Sequence, residues 1–396
     1  MWGSVSGLRG GADVGVASTL IDHREQRWIT RATYRADADG CLDLASAAPI
    51  EADWHGSDAY GLYWSMRRET GVGRSDAGAS SVDVVTSALT PLRVVVAIES
   101  GSQHLEAMIE RQIVSRSTVV EWRDTTVANL FLPHRTRAPG AVIVLGGSAG
   151  GFAWSNQVAA MIAASGRAAV AVAYFDWDGA YGLPTSITEV PLERFGDVLD
   201  RLAHDSPVGS GPVDVVGFSK GAEAALALAS RRDDIANVAA VSPSAYVWES
   251  ARTDPREPPR SSWTWRGEPL PFLRIDADDD FYENFDKTQL RRFHELALEK
   301  QHREPARIQV EAVAGDTLLV SGGADSTWPA AAMADQIVAA CGRSDRRHVR
   351  HLSFEDAGHL LLPPGLPAYR WDGDPKANAK ADRAAWSAIR KLLRLT

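Results

Sequence analysis

Two textures of apolar and polar positions divide the chain. Over residues 17–127, apolar and polar residues alternate in short runs broken by turn residues. "RWITRATYR" (27–35) alternates and is rich in Thr, Ile and Tyr; "ADADG" follows as a turn and "CLDLA" (41–45) resumes the strand pattern. "PLRVVVAIES" (91–100) and "STVVEW" (117–122) read as further strands, and "GVGRSDAGASS" (71–81) as a small-residue loop. The pattern predicts an all-β module over residues 1–127, an immunoglobulin-like sandwich.

After "FLPHRTRAPG" (131–140) the runs become continuous. "AVIVLGG" (141–147) is apolar throughout and ends in glycines, as a strand buried on both faces does. "SNQVAAMIAASG" predicts a helix closed by Gly166, "AAVAVAYF" a buried strand, "PLERFGDVLDRLAHD" a helix, "PVDVVGF" a strand and "SKGAEAALALASRR" a helix. The alternation continues through "LPFLRIDA", "TQLRRFHELALEK", "DTLLVSG", "WPAAAMADQIVAAC" and "HVRHLSFE". Such alternation implies a mostly parallel sheet with helices on both faces, here over residues 128–396. The segment 244–267, with its prolines and tryptophans, interrupts the rhythm; it reads as a lid, an entrance loop or a surface excursion.

Composition narrows the function. The 396 residues are 45% hydrophobic and 23% charged, ordinary for a globular protein with a full core. A net charge of −9 without a Lys/Arg cluster argues against nucleic-acid binding, and "RSDRRHVRH" (343–351) reads as a solvated connector. Two distant cysteines, Cys41 and Cys341, indicate no disulfide framework. The first twenty residues hold no unbroken apolar run, so neither export nor a membrane span is predicted, and a cytoplasmic location is expected. Oligomeric state is not legible.

The chain holds the pattern Gly-x-Ser-x-Gly twice, as "GGSAG" (146–150) and "GFSKG" (217–221). The second lies directly between a buried strand and an Ala-rich helix, the setting of a strained turn that exposes a nucleophilic serine, Ser219. The first follows an earlier strand of the same region, where a glycine-rich loop can donate a backbone N–H to an oxyanion hole. Donors are expected around Gly147 and Ser148, with a second from Lys220; a plain tight turn fits "GGSAGG" too.

A serine nucleophile needs an acid and then a histidine further along the chain. Of the seven histidines from His134 onward, His359 sits in "FEDAGHLLLPPG", after the last predicted strand. His294 and His302 fall in a charged helical stretch and read as surface residues. Asp325, displayed by "SGGADSTWP" at a strand end, can orient His359 or else cap the following helix. Asp276, Asp278, Asp279 and Asp280 match no EF-hand spacing and read as a solvated loop, so no metal is assigned.

These stretches together resemble the acyl-CoA thioesterase / bile acid-CoA:amino acid N-acyltransferase family over nearly the whole chain. "ATYRADADGCLDLASAAP" and "SDAYGLYWSM", with Gly61 to Met66, are similar to its β-sandwich domain, though less chain precedes them than the family usually has. "VLGGSAGG", "YFDWDGAYGLPTSITEVPLERF", "VVGFSKGAEAAL", "IQVEAVAGDTLLVSGGADSTWP" and "AGHLLLPP" are similar to its catalytic-domain motifs in the same order. The resemblance implies an α/β-hydrolase domain with Ser219 as nucleophile, Asp325 as acid and His359 as base. It implies acyl-CoA or a carrier-protein acyl thioester as substrate, and no cofactor. The amino-acid-transferring members carry cysteine where this chain has Ser219, which tilts the expectation to hydrolysis. The alternatives are acyl transfer to an amine or alcohol, an ester or lactone hydrolase of specialised metabolism, and a non-catalytic binding protein.

Overall fold

A computed structural model describes residues 3–395 except 23–24, 70–88, 113–116, 137–138, 205–207, 209–210, 252–255, 278–288, 343–347 and 362. The predicted loop at 71–81, most of the basic run at 343–351, and Asp278, Asp279 and Asp280 therefore lie outside the described residues. The chain divides into two compact units, Met1–Val114 with Leu362–Arg383, and Ser115–Leu361 with Ala384–Thr396.

The first unit is built on strands β1 (Ser4–Val5), β2 (Asp13–Ile21), β3 (Arg27–Arg35), β4 (Leu42–Asp43), β5 (Arg67–Arg68), β6 (Leu92–Ser100) and β7 (Gln103–Arg111). Five form an antiparallel sheet in the order β5-β3-β2-β6-β7, and β1 pairs with β4. In β2, β3 and β6 alternate residues are buried, so the period-2 pattern read from the sequence selects one apolar face. Strand β7, "QHLEAMIER", is almost wholly exposed; its charged residues give the sheet a polar edge. Within the family-like "GLYWSM" stretch, Gly61 opens a buried turn of helix where a Cβ would collide with the Trp54 ring.

The second unit has the α/β-hydrolase fold. Its strands are β8 (Ser117–Arg123), β9 (Val127–Pro133), β10 (Ala141–Leu145), β11 (Ala168–Ala173), β12 (Val190–Pro191), β13 (Val213–Phe218), β14 (Ile235–Val241), β15 (Trp263–Trp265), β16 (Glu268–Pro269), β17 (Asp316–Gly322) and β18 (Val349–Phe354). Eight of them make one sheet, ordered β18-β17-β14-β13-β10-β11-β9-β8, parallel except where β9 meets β11 and β8. Strands β10 and β11 are buried along their full length, in keeping with their unbroken apolar sequence. At the strand starts the buried guanidinium of Arg167 pairs with Asp214 and donates to the carbonyls of Ala141, Pro212 and Leu393.

Three sequence expectations change. The division at 127/128 does not match the two units, because "STVVEW" pairs with β9 in the eight-stranded sheet and leaves the all-β unit earlier. "LPFLRIDA" is not a strand of the eight-stranded sheet; it makes one isolated bridge, Leu273 to Trp248, and its Pro271 lacks the N–H a ladder needs. The strand beside β13 is instead β14, in the Ala-rich stretch "IANVAAV". Finally, the stretch 244–267 is buried at both of its flanks, 244–250 and 261–264, while the described residues between them are exposed or half-buried. Trp248 and Trp263 have no exposed surface, and β15 joins β12 and β16 in a small sheet.

Candidate active site

Strand β13 runs straight into the helix Lys220–Ala229, and Ser219 is the residue between them. Its backbone has φ 54° and ψ −119°, a conformation an L-residue adopts only under constraint. The constraint is visible: Ser219 N–H donates to Val241 O at 2.9 Å, and Ser219 O accepts from the N–H groups of Ala222 (2.9 Å) and Glu223 (3.0 Å). The flanking glycines are required by space. A Cβ on Gly217 would strike the Gly221 carbonyl, and one on Gly221 would strike the carbonyls of Leu145 and Gly146. Lys220 and Gly221 open the helix, and N–H groups in a first turn have no acceptor within the helix.

Asp325 follows β17 and His359 follows β18, neighbouring parallel strands. Gly322 and Gly323 let the two loops lie on one another, since a Cβ on either would enter the backbone of residues 355–358. Ala324 N–H then donates to Ala357 O at 2.9 Å and Gly323 N–H to Phe354 O at 2.8 Å. The result is a chain of hydrogen bonds: Asp325 Oδ2 to His359 Nδ1 at 2.7 Å, and His359 Nε2 to Ser219 Oγ at 2.9 Å. All three side chains are buried or nearly so, with Ser219 5% exposed and Asp325 fully enclosed. The other carboxylate oxygen of Asp325 accepts from Thr327 N–H (2.8 Å) and Trp328 N–H (3.1 Å). Asp325 therefore does both things its sequence position allowed, holding the turn before the next helix and meeting the imidazole.

Of the expected oxyanion-hole residues, Gly147 is buried against the elbow: a Cβ there would lie 3.0 Å from Ser219 Cβ. Ser148 is exposed, its carbonyl accepting from Trp177 Nε1 at 2.9 Å. Three residues, 152–154, separate Gly151 from the helix Ser155–Ala164, so "GGSAG" is no elbow.

Sequence reasoning missed several residues. Ser242, after β14, has φ 48°; its N–H donates to Val320 O and its hydroxyl to His359 O, fixing the histidine's backbone. The side chain of Lys220 is buried beneath the elbow, bonded to Glu223 (3.1 Å) and Ser262 Oγ (2.8 Å). Glu223 in turn accepts from Trp248 N–H and Trp263 Nε1. Burial pushes the lysine down and the glutamate up from their ordinary pKa values, each charge opposing the shift of its partner. His294 is buried rather than on the surface, packed 4.5 Å from the Trp248 ring and against Trp328. Burial lowers its pKa to about 4, so it is neutral. Arg291 is engaged with the carbonyls of Gly323 and Asp325 and with Glu295, and so braces the acid loop.

The same three residue types meet a second time. Ser321 Oγ lies 2.7 Å from His351 Nε2, and His351 Nδ1 lies 2.9 Å from Asp335 Oδ1. Ser321, however, is fully buried inside β17, where the backbone around it is paired with β18, so it has neither access nor spare N–H donors. Among the described residues no cluster of His, Cys, Asp and Glu is placed to hold a metal ion, and no helix is long and apolar enough to cross a membrane.

Two family profiles match the chain: "BAAT / Acyl-CoA thioester hydrolase C terminal" over residues 190–395 and "Acyl-CoA thioester hydrolase/BAAT N-terminal region" over 4–122. The mitochondrial acyl-coenzyme A thioesterase 2 of Mus musculus is 28% identical, covering 98% of this chain and 84% of its own. Bile acid-CoA:amino acid N-acyltransferase of the same species is 26% identical, covering 98% and 93%. Among solved structures, a putative dienelactone hydrolase from Klebsiella pneumoniae shares 12% identity with a TM-score of 0.44, covering 70% of this chain and 97% of that one.

Proposed function

The chain belongs to the acyl-CoA thioester hydrolase/BAAT family, and on that premise we propose that it is a serine-dependent hydrolase of acyl-CoA or a related acyl thioester. The observation carrying this reading is the Asp325–His359–Ser219 hydrogen-bond chain at a strained strand-to-helix turn. Ser219 Oγ attacks the thioester carbonyl while His359 Nε2 takes its proton. Asp325 keeps the Nδ1 proton on its own side, so that Nε2 is the free base. The carbonyl oxygen becomes an oxyanion between the N–H of Lys220 and the loop at Gly147 and Ser148; losing one such donor costs about 3 kcal/mol. The C–S bond breaks, the thiolate receives the proton from His359, and an acyl-serine remains. Water, deprotonated by the same imidazole, releases the carboxylic acid and restores the hydroxyl. No step calls for a metal or organic cofactor.

Acyl transfer is the second reading, favoured by the similarity to an N-acyltransferase. An oxygen ester at Ser219 is open to water as well as to an amine, and the two reactions share every step until the acceptor enters. We place the protein in the cytoplasm on its two distant cysteines, although one relative is named as mitochondrial. A fluorophosphonate should label the parent enzyme and leave Ser219→Ala unlabelled; equal labelling would remove Ser219 from its role. Incubating an acyl thioester with and without amine then separates the readings, free acid in both cases supporting hydrolysis and amide in the second supporting transfer.

A further inference from the structure

We propose that Tyr174 is a positioning residue for the oxyanion hole, acting through the peptide that joins Gly146 to Gly147. This rests on the reading of Ser219 as nucleophile. The carbonyl and N–H of one trans peptide point in opposite directions, so whatever holds the carbonyl also aims the N–H. Tyr174 Oη donates to Gly146 O at 2.7 Å, and the N–H at the other end of that peptide belongs to Gly147. Gly147 is the residue whose Cα backs onto Ser219 Cβ. The tyrosine thus sets the direction of a donor beside the nucleophile without touching the reacting atoms.

Three further observations fit. Gly146 O is boxed in on its other side by Gly221 Cα, where a Cβ would collide with it, so the carbonyl has one place to go. Gly221 also follows Lys220, the other proposed donor, which ties the two halves of the hole to one oxygen atom. Tyr174 itself is immobilised, buried among Phe175, Phe195 and Trp263 with ring centroids 5.4–5.6 Å away. Burial, with the charge of Glu223 adding to it, holds the phenol well above its ordinary pKa, so it stays a donor throughout the working pH range. The next two carbonyls of the loop are also bonded, Gly147 O to Gly150 N–H at 3.4 Å and Ser148 O to Trp177 Nε1 at 2.9 Å. Of the three, the Tyr174 bond is the shortest, and it is buried where that of Ser148 is exposed.

Tyr174→Phe tests this, because it removes the hydroxyl and keeps the ring packing. With concentrations normalised by active-site titration, kcat for thioester hydrolysis should fall about tenfold, since an orienting bond is worth less than a donor itself. KM should stay unchanged. A trifluoromethyl ketone analogue, which becomes a tetrahedral adduct on Ser219, should bind about tenfold more weakly, while a non-reactive thioether analogue of the substrate binds as before. Equal loss for both analogues, or an unchanged kcat, would overturn the proposal. A lowered melting temperature with normal kcat per titrated site would reduce Tyr174 to a packing residue. Activity surviving in Ser219→Ala would instead refute the nucleophile reading on which the inference rests.

Discussion

Asp325→Asn is the substitution whose outcome the site geometry dictates most closely. Asparagine has one acceptor oxygen and one donor nitrogen, and the surroundings choose which goes where. The Oδ1 position faces two backbone donors, Thr327 N–H at 2.8 Å and Trp328 N–H at 3.1 Å, so the amide oxygen must sit there. The NH2 group is then turned to His359 Nδ1, 2.7 Å away in the parent. An NH2 group can only donate, so Nδ1 must become the acceptor and the ring proton moves to Nε2. That proton faces Ser219 Oγ at 2.9 Å, and the imidazole can no longer take the hydroxyl's own. Wrong-tautomer triads lose about 10^4-fold in kcat.

Stability should respond far less. The asparagine keeps both loop bonds and exchanges one ionic hydrogen bond for a neutral one, a cost of about 1 kcal/mol. Asp325→Ala, by contrast, strips the acceptor from two backbone N–H groups, of which the buried one of Trp328 alone costs about 1–3 kcal/mol. Thiol release from an acyl thioester measures the first effect and urea unfolding the second. The expected pattern is an inactive, well-folded asparagine variant beside an inactive, destabilised alanine variant. An asparagine variant within about tenfold of the parent rate would show that Asp325 does not set the tautomer, and the role assigned to it would fall.

Other substitutions probe separate terms. Gly in place of Ala normally costs about 1.5 kcal/mol in chain entropy and lost burial, but relief of the positive φ at 219 returns about 1–3 kcal/mol. Ser219→Gly should therefore match or exceed Ser219→Ala in urea stability, and a glycine variant about 1.5 kcal/mol below alanine would disprove the strain. His294, with a folded pKa of about 4, takes up its proton in the unfolded chain first, so stability present above pH 6.5 is lost as pH falls towards 4. His294→Phe should flatten that slope in a pH series of unfolding curves, and an unchanged slope would contradict the burial argument. Ser321→Ala should keep parent kcat in the thiol-release assay and lose about 1 kcal/mol of stability, since it leaves His351 Nε2 without its partner. A hundredfold loss of activity would mean that the second constellation takes part in the chemistry.

The parts legible in the sequence were those enforced locally. Alternation in "RWITRATYR" selects one sheet face, and unbroken apolar runs mark β10 and β11 as buried on both sides. Glycines at 217, 221, 322 and 323 sit where backbone meets backbone, and the pair at 217 and 221 marks the strand-to-helix turn in the sequence itself. What stayed hidden depends on partners distant in the chain. "IANVAAV" is Ala-rich and suits a helix as well; it becomes a strand only by pairing between β13 and β17. Lys220 and Glu223 look like an exposed helical pair, and nothing local says that the tryptophans of 248 and 263 cover them. His294 had one overlooked signal: it adjoins the apolar stripe of Leu290, Phe293 and Ala297, at helical spacing, in an otherwise charged helix.

The two Ser–His–Asp groupings also bear on what makes a constellation catalytic. Their hydrogen bonds are nearly equal in length, 2.9 and 2.7 Å at Ser219 against 2.7 and 2.9 Å at Ser321, so geometry among the three side chains does not separate them. The backbone does. Ser321 lies within a strand whose neighbours Val320 to Gly322 are all in register with β18, and a strand in a ladder spends its N–H groups there. Ser219 lies where a strand has ended and a helix begins, the one kind of junction that leaves N–H groups unspent and points them at a single spot. The acid is also placed differently. Asp335 is exposed, so solvent screens its hold on His351, whereas Asp325 is enclosed and its two oxygens are both committed. On the proposed reading of Ser219 as nucleophile, what sets it apart from Ser321 is the strained strand-to-helix turn it occupies and the enclosed carboxylate behind its histidine.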